Sequence, residues 1–443
     1  MRQRRSLTHV GGDVDTAGNR DVASALARAL DVAPATPPDA ARRGDARENG
    51  DEPERAHVHG FHTYPARMHP TTASRLIEAV SARGQTVLDP FCGSGTVLVE
   101  ALIAGRSAIG TDLNPLAVQL ALLKTTPLGA TAREALVSAA RKVAAFADAR
   151  RERRAGATRR YPPEDVAAFD PHVLLELDSL RAGIAEAASQ AKEAKGTTAA
   201  LELVLSAILV KLSRRASDTS AAPAQRRIAA GYPARLFVRK TEELTRRLAE
   251  FEALLPPAPG TEEPRRVRVA LDDATRLRSV AASTVDAVVT SPPYVATYDY
   301  LAHHALRMRW LRLDARELAA HELGARRRYA SMDARDAAAQ WAGELGRALH
   351  ALSRVCKPGA RAALVIADSA VRGEALRADE VLEHVAPGVG FAFVARASQR
   401  RPHFHEPTAG AFDRSPRAEH AIVLEKSRVR DIKRRERVGP VPS

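Results

Sequence analysis

Ser291, Pro292, Pro293 and Tyr294 stand in a row directly behind the apolar run Val285 to Val289. A proline fixes φ and carries no N–H, so consecutive prolines hold their carbonyls in set directions without competing donors. The Ser291 hydroxyl and the Pro292 carbonyl are then two acceptors on a rigid frame. Tyr294 adds an aromatic face on which a planar ring can stack. Such a frame suits chemistry in which an N–H group must be placed rather than activated. The same four residues would also serve as a stiff turn ending a strand, and by themselves they do not separate the two readings.

A second candidate lies upstream in "LDPFCGSGTVLVEA" (88–101). A strand, then Gly93-Ser94-Gly95, then a helix brings backbone N–H groups and a helix N-terminus to a ligand that approaches closely because glycine has no side chain. Asp112 follows 17 residues after Gly95, at the end of the next strand-like run "SAIGTD". In a doubly wound sheet an acidic residue there reaches ribose hydroxyls. The third glycine of the dinucleotide fingerprint is missing, since Leu98 stands in its place, and NAD is disfavoured.

Seven strand-like runs can position these residues: 86–91, 107–112, 266–272, 285–292, 361–368, 390–398 and 419–426. Helical patterns between the first six predict a mainly parallel sheet covered on both faces. Only a loop joins the last two, which predicts an antiparallel final strand. Residues 128–262 carry Ala/Leu-rich helical patterns and predict an all-helical insert. Residues 1–56, with stretches such as "APATPPDAARRGDARENGDEPER", hold few large apolar residues and predict a disordered, dispensable tail. Residues 427–443 predict a mobile basic tail.

With 443 residues, 45% of them hydrophobic, the chain can bury a large core. No apolar run approaches the roughly 20 residues of a membrane span, and the first residues lack a signal-peptide core, so a cytoplasmic protein is expected. Two cysteines exclude a disulfide framework. A net charge of +14 points to a polyanionic partner such as nucleic acid. Basic residues interleaved with aromatics at 211–240 (Arg214, Arg215, Arg226, Arg227, Arg235, Arg239 and Lys240 with Tyr232 and Phe237) and "GARRRY" (324–329) suit a phosphate track or, alternatively, a face of paired charges.

"DPFCGSGT", "GTDLNP" and "TSPPY", in that order, resemble the S-adenosyl-L-methionine-dependent amino-methyltransferases of DNA, the cytosine-N4 and adenine-N6 group, in its Ser-Pro-Pro-Tyr subgroup. The likeness covers roughly 57–127 and 263–426 and implies a Rossmann-like methyltransferase fold split by the insert. It implies that Asp89, Gly93 and Gly95 line the methionine moiety, that Asp112 holds the ribose, and that Asp273 contacts the adenine amine or else caps a turn. Pro90, Phe91 and Thr96 in the first motif, Asn114 in the second, and Tyr64 in "HGFHTYPARMHP" (59–70) complete the implied cofactor set. Ser291 to Tyr294 would hold the base amine. Serine at the first of these positions leans toward cytosine N4.

The implied partner is double-stranded DNA with a flipped target base, with room for a cognate restriction endonuclease. An adenine-N6 enzyme, an RNA base methyltransferase and a silent DNA-binding subunit are the alternatives. Cys92, within the cofactor loop, is expected to fill space rather than attack a base. Histidines 57, 59, 62 and 69 are not expected to hold a metal. Asp299 is expected to cap the helix that follows it.

Overall fold

The computed structural model describes residues 12–32, 53–190, 195–217, 220–223, 226–257, 266–403 and 406–428. Strand β1 (Val14–Gly18) and helix α1 (Arg20–Leu30) come first, and α2 (Pro70–Val80) leads into β2 (Thr86–Asp89), α3 (Thr96–Ile103), β3 (Ser107–Asp112) and α4 (Pro115–Thr125). The segment between α4 and the next sheet strand forms helices α5 (Ala130–Glu152), α6 (Pro163–Ala168), α7 (Pro171–Gln190) and α8 (Lys195–Leu212), a hairpin of β4 (Arg215–Ser217) and β5 (Ser220–Pro223), and α9 (Tyr232–Leu254). The chain returns as β6 (Val267–Leu271), β7 (Val285–Thr290), α10 (Tyr300–Leu311), α11 (Arg316–His321), α12 (Arg326–Tyr329), α13 (Ala334–Val355) and β8 (Cys356–Ala367). It ends with the hairpin β9 (Ser369–Val371) and β10 (Glu374–Leu376), α14 (Ala378–Val385), β11 (Phe391–Arg400) and β12 (Ala418–Lys426).

All seven expected strands pair in one sheet of order β1-β11-β12-β8-β7-β2-β3-β6. Strands β6, β3, β2, β7 and β8 run parallel, while β12 lies antiparallel between β8 and β11. This is the Rossmann-like order, with the last strand antiparallel as expected and inserted between β8 and β11. Strand residues alternate between two cores, as a pleat requires. Val87, Ala287, Val289 and Val365 enter the cluster formed with α1 to α4 and the insert, whereas Leu88, Val288, Leu364 and Ile366 enter the cluster formed with α13 and α14.

Three expectations need correction. The tail at 1–56 is not wholly disordered, because Val14–Gly18 adds an eighth strand antiparallel to β11. Helix α1 then packs through Leu26, 0% exposed, and Leu30, 2% exposed. The amphipathic spacing in "RDVASALARAL" was outweighed by the polar composition around it. Residues 1–11, 33–52 and 429–443 lie outside the described residues, so most of both expected tails does too.

Second, no helix joins β6 to β7. Asp272 accepts from Ser279 N and Oγ, and Asp273 from Thr275 N and Oγ1, so the acidic side chains close turns that compete with a helix. Third, the insert is helical but also carries the β4-β5 hairpin. It is packed on the sheet domain, with Arg307 of α10 donating to the Ser206 carbonyl of α8.

Candidate active site

The order β7-β2-β3 places a topological switch at β2, since the chain builds outward to β6 on one side and to β8 on the other. In open α/β sheets the crevice beyond such strand ends is where ligands bind. Asp89 ends β2, Asp112 ends β3 and Thr290 ends β7. Thr290 Oγ1 donates to Asp89 Oδ1 at 2.6 Å, and Phe91 N donates to the same oxygen at 3.1 Å. The glycine loop and the Ser-Pro-Pro-Tyr corner are thereby fastened to each other through two side chains.

Gly93 has φ +49° and Gly95 φ +87°, a region that side chains rarely adopt. A Cβ on Gly93 would come within 3.3 Å of the Tyr64 ring, and one on Gly95 within 3.1 Å of Ala121. Asp112 Oδ2 accepts from Gly93 N and Oδ1 from Asn114 N, both at 2.8 Å. Asn114 also caps α4 by accepting from Leu116 N, and its Nδ2 donates to the Tyr64 hydroxyl at 3.2 Å. Tyr64 in turn stacks on His304, 4.8 Å between ring centroids.

A cavity with about 850 Å³ of atom-free space, part of it open to solvent, lies over these strand ends. Tyr64, Asp89, Pro90, Phe91, Gly93, Thr96, Asp112, Asn114, Asp273, Ser291 and Pro293 line it. Burial pushes the Asp89 carboxyl up to about 7 and the Asp112 carboxyl up to about 6. Buried acids of that kind gain when a cation or a hydroxyl donor arrives. The Ser94 hydroxyl, buried in the loop, has no hydrogen-bond partner among the described residues.

A second cavity, with about 690 Å³ of atom-free space, adjoins the first. Pro292, Tyr294, Tyr298, Arg401 and Glu419 line it, while Ser291 and Pro293 line both cavities. The Tyr294 hydroxyl donates to Glu419 Oε1 at 2.8 Å, which fixes the ring. Ser291 to Tyr294 therefore form the wall between two adjoining spaces.

Other candidates divide. Gly95 does not line the first cavity but lets α3 start against α4. Asp273 lines the cavity, yet its Oδ1 caps the turn at Thr275. Asp299 caps α10 by accepting from Ala302 N. Cys92 is buried against Gly110 and burial raises its thiol well above the usual range, the opposite of a nucleophile. His62 bonds Ser206 and His69 caps α2. His57, His59 and Glu100 bring ligand atoms within 4.8 Å of one another. Burial pushes the His59 imidazole well below its usual range, with Lys124 and Arg67 as neighbours.

Two of the three loop arginines are paired internally, Arg327 with Asp299 and Glu322 and Arg328 with Glu344, while Arg326 is exposed. Phe237 is fully buried. Sequence reasoning missed Glu322, Arg401 and Glu419 at the cavities. Glu419 had a signal, a carboxylate within the apolar strand "AEHAIVLEK", whereas Arg401 stood among arginines and had none.

Residues 40–123 match the model of a family described as DNA methylase. The chain is 45% identical over 74 residues to the type II methyltransferase M.MvaI of Kocuria varians, covering 16% of each chain. It is 36% identical over 68 residues to the type II methyltransferase M.MjaII of Methanocaldococcus jannaschii, covering 15% of this chain and 13% of that one. Each match thus spans less than a fifth of the relative's length. Among solved structures, TrmN from Thermus thermophilus aligns over 81% of this chain and 48% of its own at 13% identity, with a TM-score of 0.28. The rRNA methyltransferase aviRa from Streptomyces viridochromogenes aligns over 86% and 93% at 14% identity, also at 0.28.

The first cavity fits S-adenosyl-L-methionine. The left-handed Gly93 leaves room against Tyr64, the unpartnered Ser94 hydroxyl and the Asp112 carboxylate can meet polar groups, and two buried acids suit a cationic ligand.

Proposed function

We propose that this protein methylates an exocyclic amine of a base in double-stranded DNA, and that the amine is cytosine N4. What supports the reading above all is that Ser291 and Pro293 line both cavities, so that a donor in one and a base in the other would meet across this corner. When bound, S-adenosyl-L-methionine supplies an electrophilic methyl group on a sulfonium. Asp112 would accept from the ribose hydroxyls, and Asp89 would offer its carboxylate to the cation.

An exocyclic base amine is a poor nucleophile because its lone pair is delocalised into the ring. The Ser291 hydroxyl and the Pro292 carbonyl accept from its N–H groups and favour a more tetrahedral nitrogen. Transfer would form the N–C bond as the donor's C–S bond breaks, and the proton that the amine then loses would pass by way of the Ser291 hydroxyl to water, the Pro292 carbonyl holding the remaining N–H. Tyr294 offers a face for the extruded base, its hydroxyl anchored on Glu419. Serine at 291 favours cytosine N4 over adenine N6.

The test is methyl transfer from labelled cofactor to duplex DNA and to tRNA, followed by mass spectrometry of the nucleosides. N4-methylcytosine in DNA is expected. N6-methyladenine would overturn the base assignment, and transfer to tRNA alone would overturn DNA as the substrate.

A further inference from the structure

The second cavity holds a charged pair whose role the proposed chemistry leaves open. Glu419 of β12 accepts from the Tyr294 hydroxyl on Oε1 and from Arg401 Nε on Oε2, at 2.8 and 3.0 Å. Arg401 follows directly on β11, and its backbone N–H donates to the Arg417 carbonyl at 2.8 Å. Arg401 is 6% exposed and Glu419 5%. Yet Arg401 Nη1 is buried with no hydrogen-bond partner among the described residues. A guanidinium nitrogen is an obligate donor, and an unmet buried donor is costly, so such a group marks a place where an acceptor from outside is expected.

Resting on the methyl-transfer reading above, we propose that Arg401 is the specificity-determining residue that reads the target base. Its Nη1–H donates to the ring acceptors beside the reactive amine. Cytosine presents N3 and O2 side by side next to N4, an acceptor pair that suits the fork of a guanidinium. Adenine presents N1 next to N6 and then a carbon-bound hydrogen, which leaves the second donor unmet. Glu419 neutralises the arginine and, through Tyr294, holds it in register with the Ser-Pro-Pro-Tyr wall. Recognition and placement of the base are then parts of one hydrogen-bonded unit.

The experiment uses the full-length protein and duplex DNA whose methylated position has first been mapped. Arg401→Met lowers kcat/KM for DNA by about 10–100-fold, mainly through KM, with cofactor affinity unchanged by calorimetry; Arg401→Lys recovers part of the loss. Replacing the target by 3-deazacytosine, which lacks the N3 acceptor, lowers wild-type kcat/KM toward the Arg401→Met level and costs Arg401→Met nothing further. If Arg401→Met misfolds, Arg401→Lys serves for the same comparison, with a smaller loss on 3-deazacytosine than the wild type shows. Wild-type-like turnover by Arg401→Met, equal losses with 3-deazacytosine for both proteins, or an adenine target would each overturn the assignment. Wild type that methylates no DNA base would overturn the methyl-transfer reading itself.

Discussion

Asp89 and Asp112 are acids buried at two strand ends, and burial, helped by neighbouring carboxylates, raises them to about 7 and about 6. A cationic ligand favours their ionised forms, so its affinity must rise as pH climbs through those values. Cofactor affinity measured by calorimetry is expected to tighten between about pH 5.5 and 7.5 and to level off above. Asp112→Asn should flatten the acid side of that profile and weaken binding by about 10–100-fold, the scale of a lost charged hydrogen bond. Pro292→Ala should act differently. It frees the backbone that aims a carbonyl, so kcat should fall by at least about tenfold while cofactor affinity holds. Equal losses in both would mean that the corner shapes the first cavity instead of the transfer.

Among the elements, β1 and α1 carry the clearest consequence of the fold. Leu30 and Val32 line the second cavity, and the Thr72 hydroxyl donates to the Ala29 carbonyl, so this N-terminal unit closes the base side of the site. Leu26 and Leu30 each contribute roughly 1.5–3 kcal/mol by burial. Deleting residues 1–32 should lower the melting temperature by at least a few degrees and reduce methyl transfer to DNA more than cofactor binding. A truncated protein with wild-type activity and melting would refute a role for the unit. Its strand was legible only weakly: "VDTAG" has one β-branched pair and a glycine, and it is a strand because β11 leaves an edge for it.

Over the whole molecule, the insert and the sheet domain enclose a basic groove. Arg67, Lys211, Arg226, Arg239, Lys240 and Arg307 line it, with Glu243 as the acidic residue. A phosphate backbone lying there would release counterions, and the salt dependence of binding counts the contacts. The double variant Lys211→Glu, Arg239→Glu should weaken DNA binding by more than about tenfold and reduce the salt slope by about one to two, with cofactor affinity unchanged. An unaltered slope would move the DNA to another face.

By itself the sequence determined the sheet, the glycine loop and the Ser-Pro-Pro-Tyr corner, because these rest on local rules. Apolar runs set the strands, glycine permits the left-handed turn after β2, and prolines stiffen the end of β7. Tertiary structure decided what is near what. Thr290 meets Asp89 across 201 residues of chain, and Tyr294 meets Glu419 across 125. It also decided which arginines are bound up internally, as Arg327 and Arg328 are, and which, like Arg401, keep a buried donor without a partner among the described residues. An arginine's charge is written in the sequence, but the partner that neutralises it is set by folding, because side chains distant in the chain meet only when the strands are laid side by side.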